Sequence, residues 1–319
     1  MLRKFYFSRF GLEVRRAIEA DDPQVVHIHG IWLPANHASV SAARRRRIPV
    51  AISPRGMLEP WAVAHRKWKK RLAWGLFQRR DLATASVLFA TSPEEAAAIR
   101  ASGCRQPIAV IPNGVTLPAA ADQREDRSGP RTALFLSRIH PKKGLLLLVK
   151  AWSLIRPRDW QVLVAGPDEG GHRCQVEAAV RRAKLADTFH FIAPVDGEEK
   201  SKLLRRADIF LLPSMSENFG VVVAEALAHG LPVITTTGAP WSGLVEHRCG
   251  WWVKPEVRTL AEAIREATRL ADAEREAMGQ RGRAWMEQGF SWNAVAAQTL
   301  HVYEWMIRGG PAPACVRLD

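Results

Sequence analysis

A chain of 319 residues is longer than one hydrophobic core ordinarily fills and suits two domains. Hydrophobic residues at 47% and charged residues at 24% give the balance of a water-soluble globular protein, with no apolar run long enough for a spanning helix. The formal net charge of +14 lies mostly at one end: residues 1–120 hold 19 Lys and Arg against 8 Asp and Glu, a balance of +11, and the remainder only +3. Such a concentrated basic face suits nucleic acid, anionic lipid or a pyrophosphate-bearing substrate.

The chain opens on a helical pattern in which Arg3, Lys4, Arg9, Arg15 and Arg16 interrupt any apolar core of a signal peptide. Strands are then predicted at Val25–His29, closed by Gly30, at Pro49–Ile52, at Ser86–Ala90 and at Ile108–Ile111, the last closed by Pro112-Asn113-Gly114. Arg44–Arg47 is a basic cluster at a helix end, where cations suit the dipole. The densest charge run is His65–Arg80, in which Trp68, Leu72 and Leu76 recur at helical spacing between Lys and Arg. That stripe fits a helix packed on the core, and the charges fit one lying on anionic lipid or docking a lipid-pyrophosphate.

Pro118–Arg131 has no periodicity and reads as a linker. A second strand–helix series follows, with strands at Thr132–Leu136, Gln161–Ala165, Phe189–Ile192, Ile209–Leu212 and Pro232–Thr235, and a helical tail over Leu260–Ile307. Of the twelve tryptophans, Trp61 and Trp241 are candidates for stacking on sugar and the rest for core or interface anchors. The four cysteines, Cys104, Cys174, Cys249 and Cys315, form no CxxC pair and fit reduced thiols in the cytosol.

Candidate chemistry collects in the second series. Leu136–Gly144, with Arg138 and Lys143, follows a strand and opens a helix, an arrangement suited to a pyrophosphate. A solvated basic turn would look the same, and neither a Walker loop nor a GxGxxG fingerprint is present. Pro213–Gly220 also follows a strand, and a helix begins near Gly220 and runs through Glu225. Glu217 in the loop can accept hydrogen bonds from sugar hydroxyls and Glu225 from a ribose diol. Val221–Ala224 and Ala226–Ala228 make this helix apolar nearly all round, so Glu225 needs a partner.

The order of these pieces resembles family 4 of the retaining glycosyltransferases over nearly all of residues 24–305. The resemblance is carried by His27–Gly30, Pro112–Val115, Arg138 with Lys143-Gly144, Glu217 with Glu225, His229–Val233 and Phe290–Trp292. Ser53–Trp61 and Cys249–Trp252 look like a subgroup making bacterial surface polysaccharides. The resemblance implies an α/β protein of the GT-B fold, two Rossmann-like domains facing each other across a cleft. Arg138 and Lys143 would neutralise the donor diphosphate, and Glu217 would face the transferred sugar. Asn218 is grouped with the donor contacts, with Phe219, Gly220 and Val221 adding backbone contacts, Glu225 binding the ribose and the nucleobase near Gly166 and Val195. Retention would follow from attack on the face the diphosphate leaves, with no metal or other cofactor. The last helix, around Trp292–Tyr303, would cross back onto the N-terminal domain.

The family's N-terminal domain normally begins with a strand and a Gly-rich loop. Here a helical stretch precedes Val25, which points to a truncated N-terminal domain: a misassigned start, a fragment or degenerate copy, or a part supplied by another protein. Arg55 stands where the family often has histidine; arginine cannot act as a general base but can bind phosphate. His27, His29 and Arg55 are the acceptor-side candidates.

The expected organisation is an N-terminal acceptor-side domain (1–118), a linker (119–131), a nucleotide-sugar-binding domain (132–288) and a returning helix with tail (289–319). The expected function is hexose transfer from a UDP- or GDP-sugar to a lipid-linked or polysaccharide acceptor. The enzyme would sit peripherally on the inner face of the bacterial plasma membrane, bound to its anionic surface. A catalytically impaired nucleotide-sugar-binding subunit paired with an intact transferase is the alternative. The sugar-nucleotide 2-epimerases share the fold but need acid/base groups at the sugar C2 that are not visible here. Nucleic acid is not an expected partner, because no recognisable module accompanies the basic charge.

Overall fold

The computed structural model describes residues 2–64, 67–119 and 129–319. The chain divides into two compact units, Met1–Asn113 with Val295–Asp319, and Gly114–Ala294. The expected linker falls largely on residues 120–128, outside the described residues, and Arg131 already opens a strand.

In the first unit, α1 (Leu2–Asp21) packs on α2 (Pro34–Arg45), with β1 (Val26–His29) between them in sequence. β2 (Val50–Ser53) is followed by α3 (Pro60–Ala64), α4 (Lys67–Ala73), a π-helical turn at Trp74–Gln78 and α5 (Arg79–Ala83). β3 (Val87–Ala90), α6 (Pro93–Ala101) and β4 (Ile108–Val110) complete the N-terminal part. β1 to β4 pair in sequence order, all parallel. β2 and β3 are buried along their whole length, as strands covered on both faces must be, which explains their unbroken apolar character. α6 starts where Ser92 accepts from the Glu95 backbone N–H at 3.1 Å and Pro93 pre-sets the first turn.

In the second unit β5 (Arg131–Leu136) leads through a 3-10 turn at Pro141–Lys143 into α7 (Leu145–Ile155), β6 (Trp160–Ala165), α8 (His172–Arg182) and β7 (Phe189–Ile192). Then come α9 (Gly197–Arg206), β8 (Ile209–Leu212), α10 (Val221–Ala228), β9 (Val233–Thr236), α11 (Gly243–Glu246) and β10 (Gly250–Val253). α12 (Val257–Arg269) and α13 (Asp272–Gly289) end the unit, apart from the first residues of α14 (Trp292–Arg308). The all-parallel sheet runs β10-β9-β8-β5-β6-β7. Strand order therefore reverses between β5 and β8. A doubly wound sheet opens a crevice at the carboxyl ends of the strands flanking that point, where ligands bind.

From Val295 onward α14 belongs to the first unit: Val295 and Val302 are buried with Phe89 and Ala109. The chain then adds β11 (Val316–Arg317) antiparallel to β4. Among the described residues no helix is long and apolar enough to cross a membrane.

Candidate functional site

The two strands flanking the switch point carry the site. β5 ends at Leu136 and hands over to Ser137-Arg138; β8 ends at Leu212 and hands over to Pro213-Ser214. Gly166, just past β6, lies so close to β5's end that a β-carbon there would sit 1.9 Å from the Ser137 carbonyl oxygen. On the other side Gly144 holds a left-handed φ of +72°, and its β-carbon would sit 1.9 Å from the Pro213 carbonyl oxygen. Glycine is needed there twice over, for the dihedral and for the space.

This close approach seats Lys143 against the β8 loop. Its side chain is 11% exposed, and its ammonium donates to Glu217 Oε1, whose side chain is also 11% exposed. Ser214 Oγ donates to the same oxygen at 2.6 Å. The loop is fixed from three directions. Met215 N donates to Lys142 O at 2.7 Å, Glu217 N to Gly238 O at 2.7 Å, and Thr236 Oγ1 to Ser214 O. Lys143 and Glu217 are thus brought together, while Arg138 is directed elsewhere: its exposed guanidinium donates to Glu169 Oε2 at 2.7 Å.

Gly220, at φ +76°, is the residue before α10 and lets the chain turn from the loop into the helix. The first N–H groups of a helix have no partner within it, so Val221 and its neighbours offer donors beside Glu217. Asn218 is half-buried in the same loop. Phe219 is buried, its ring 5.1 Å from that of Trp241, and its carbonyl accepts from Trp241 Nε1 at 2.5 Å. Trp241 is therefore not a sugar platform as the sequence suggests. It is 2% exposed and packs on Trp285 and Phe290 as part of the core that supports the loop. Glu225, which needs a partner in so apolar a helix, has one: Lys200 on α9 donates to its Oε1 at 2.7 Å. Val195 is half-buried against the core of this unit.

The acceptor-side candidates collect at the carboxyl ends of β1 and β2. Arg55 adopts a left-handed φ of +54° and donates to Asn113 Oδ1 at 2.5 Å and to His29 Nδ1 at 3.1 Å. Because arginine only donates, His29 Nδ1 is the accepting nitrogen and a neutral ring carries its proton on Nε2. His29 is exposed and stacks on His27, ring centres 4.3 Å apart. His27 has both nitrogens engaged, Nδ1 with Tyr303 Oη at 2.5 Å and Nε2 with Ser53 Oγ at 2.8 Å. Burial, then the positive field of His29 and Arg55, lowers His27 to about 3; burial and then Arg55 also lower His29, so both are neutral near pH 7.

A depressed histidine binds its proton more readily in the unfolded chain, so His27 stabilises the fold above pH 6.5 and loses that contribution as pH falls toward 3. Between pH 6.5 and 4.5 we expect a His27→Gln variant to lose roughly 2 kcal/mol less stability than the parent in urea titrations. Equal losses would mean that His27 is not buried in its neutral form.

The residues missing from the sequence candidates are Ser214, Lys200, Asn113 and Tyr303. Ser214 lies inside the Pro213–Gly220 segment and could have been read there, since its hydroxyl is three residues from Glu217. Lys200 carries no local signal, and Asn113 reads only as a turn residue, because each meets its partner only through the fold.

Two parallel α/β units, the second doubly wound with its polar cluster at the switch point, define a protein of the GT-B fold. The chain belongs to the glycosyl transferases group 1 family, whose sequence profile matches residues 119–285; a glycosyl transferase 4-like domain profile matches residues 3–114. It is 33% identical over 234 residues to D-inositol 3-phosphate glycosyltransferase of Arthrobacter sp., a match covering 69% of this chain and 55% of that one. It is 29% identical over 303 residues to glycogen synthase of Mycobacterium tuberculosis, covering 91% and 71%. The chain thus spans little more than half the length of the first of these relatives. Among solved structures, Anabaena HepE in complex with UDP superposes with a TM-score of 0.76 at 21% identity, over 91% of this chain and 80% of that one.

Proposed function

We propose that this protein transfers a hexose, with retention, from a UDP- or GDP-sugar to a lipid-linked or polysaccharide acceptor. The reading is carried by one observation: a largely buried Lys143–Glu217–Ser214 cluster at the switch point of a doubly wound sheet, beside the start of α10. Breaking the anomeric bond leaves negative charge growing on the diphosphate. Lys143 and the α10 N-terminus are fixed positive groups that stabilise that charge without a metal, and Arg138 joins them only on leaving Glu169. Glu217, already tied to Lys143 and Ser214, is held rigidly enough to orient sugar hydroxyls. Glu225 takes the ribose diol, and the Gly166 and Val195 turns border the base. UDP in the HepE structure, on a similar fold, supports the nucleotide part of the reading.

His29 and Arg55 serve the acceptor. The product in this reading is a polysaccharide or lipopolysaccharide, and the basic first unit supports a place on the anionic inner face of the plasma membrane. The expected helix packing of Trp68, Leu72 and Leu76 on the core does not occur: they are 68%, 58% and 71% exposed. An exposed apolar stripe among Lys69, Lys70, Arg71, Arg79 and Arg80 is the composition of an interfacial helix.

Glu225→Ala is the test of the donor assignment. Titration calorimetry with UDP and with GDP is expected to show about ten-fold weaker binding of whichever nucleotide the parent prefers. Unchanged affinity would remove Glu225, and with it the orientation assigned to the donor.

A further inference from the structure

The first unit contains a cavity of about 550 Å³ whose walls come from the turn after β1, from α3 and α4, from the π-helical turn and from the end of α6. Its lining is mainly apolar, with Trp32, Leu58, Val63, Trp74 and Ala98 among the walls, together with the cations Lys70 and Arg71 of α4, the Lys70 ammonium donating to the Ala62 carbonyl. A void of this size and character is the ordinary form of a small-molecule site.

Two local features show that the cavity is built. Trp32 holds a left-handed φ of +76°, a conformation that costs a bulky residue free energy and persists only where neighbours enforce it. Those neighbours are Gln78, whose Oε1 accepts from Trp32 N at 2.7 Å, and Met57, whose carbonyl accepts from Trp32 Nε1 at 3.3 Å. Gln78 is 2% exposed and lies in the π-helical turn, an unusual widening that tends to occur at functional sites. The same turn brings Trp74 to 6.0 Å from Trp32, making an aromatic wall, with the Lys70 ammonium 5.6 Å from the Trp32 ring centre. Trp32 is also two residues beyond Gly30, which closes the strand carrying His27 and His29.

We propose that this cavity takes the lipid chain of a phosphate-linked amphiphile, its phosphate meeting Lys70 and Arg71. The inference rests on the lipid-linked acceptor in the function proposed above and assigns the part of the chain that recognises it. Charge complementarity selects the occupant: an apolar, aromatic-walled interior receives a hydrocarbon chain, and cations in its lining receive a phosphate. Such a molecule resides in a bilayer, and the exposed Trp61 on α3, Trp68 and Leu72 on α4 and Leu76 in the π-helical turn lie on the elements that line the cavity. The stripe meets the membrane surface, and the cavity accepts one chain drawn from it.

The test compares farnesyl pyrophosphate with inorganic pyrophosphate by calorimetry on the full chain. The parent is expected to bind the farnesyl compound at least about ten-fold more tightly, because burial of the chain adds to the charge interaction. Ala101→Trp, at an exposed wall position at the end of α6, should abolish that preference while keeping its melting temperature. Ala97→Trp, on the same helix but outside the cavity, should keep the preference. Should Ala101→Trp fail to fold, Ala98→Leu narrows the same wall by less and decides the matter. Equal affinities for the two pyrophosphates, or a preference that survives filling the cavity, overturns the assignment. Binding of the parent only to anionic phosphatidylglycerol vesicles, with no farnesyl preference, would leave the stripe as a surface contact and likewise overturn it. Donor recognition is read separately by Glu225→Ala with UDP and GDP, so loss of one reading is distinguishable from loss of the other.

Discussion

Lys143→Ala is expected to lower release of UDP or GDP from the sugar donor by about 10² to 10³-fold, the usual effect of removing one fixed group that stabilises a leaving charge. The same substitution leaves Glu217 with its carboxylate 11% exposed and without the ammonium, and should cost about 3 kcal/mol of stability. The two effects separate in the double variant Lys143→Ala/Glu217→Ala. Removing both charges should return much of the melting temperature, because no unpaired carboxylate remains, whereas turnover stays low. Turnover within a few-fold of the parent would refute the role given to Lys143. Recovery of turnover in the double variant would show that Lys143 serves only to neutralise Glu217.

Gly144→Ala is the second large effect, acting on geometry instead of charge. Its φ of +72° costs an L-residue about 1–2 kcal/mol, and the added carbon would lie 1.9 Å from Pro213 O, so β8's end must move. A total loss of at least about 3 kcal/mol is expected. Because the displaced carbonyl precedes Ser214, the loop bearing Glu217 shifts with it and nucleotide binding should fall as well. Gly170 provides the comparison: its φ is +71° but nothing lies near its would-be β-carbon. Gly170→Ala should show the dihedral cost alone, in chemical denaturation under the same conditions. If the two variants lose equal stability, the contact with Pro213 is not what the glycine protects.

Most strands of both units were legible because buried parallel strands read as short β-branched or aliphatic runs, as in Val87–Ala90 and Ile209–Leu212. β10 was not, since Gly250-Trp251-Trp252-Val253 is only half-buried and starts on a glycine. Strand order was not legible from periodicity, which says nothing of crossovers, so the switch point between β5 and β8 emerges only from the pairing. In the site, Lys143 and Glu217 were readable as a turn cation and a loop carboxylate, but their direct contact was not, since 74 residues separate them. The Glu225 case went further: an apolar helix demanded a partner, and only the fold could say that the partner is Lys200. The Trp68–Leu72–Leu76 stripe shows the limit of periodicity. Spacing places three side chains on one helix face and cannot say whether that face meets the core or the solvent. Trp241 shows the same limit for a single residue beside a motif, where composition gives no measure of burial.

The return of the chain through α14 and β11 has a consequence in time. The second unit is a continuous stretch, Gly114–Ala294, and can complete its contacts as soon as it leaves the ribosome. The first unit cannot: β4 finishes at Val110, but the strand that pairs with its outer edge begins at Val316. At ordinary elongation rates that edge waits on the order of 10–40 s for its partner, with the surface that Val295 and Val302 later cover still open. The half of the molecule made first is therefore the half that closes last, with a sheet edge open to mispairing in the interval.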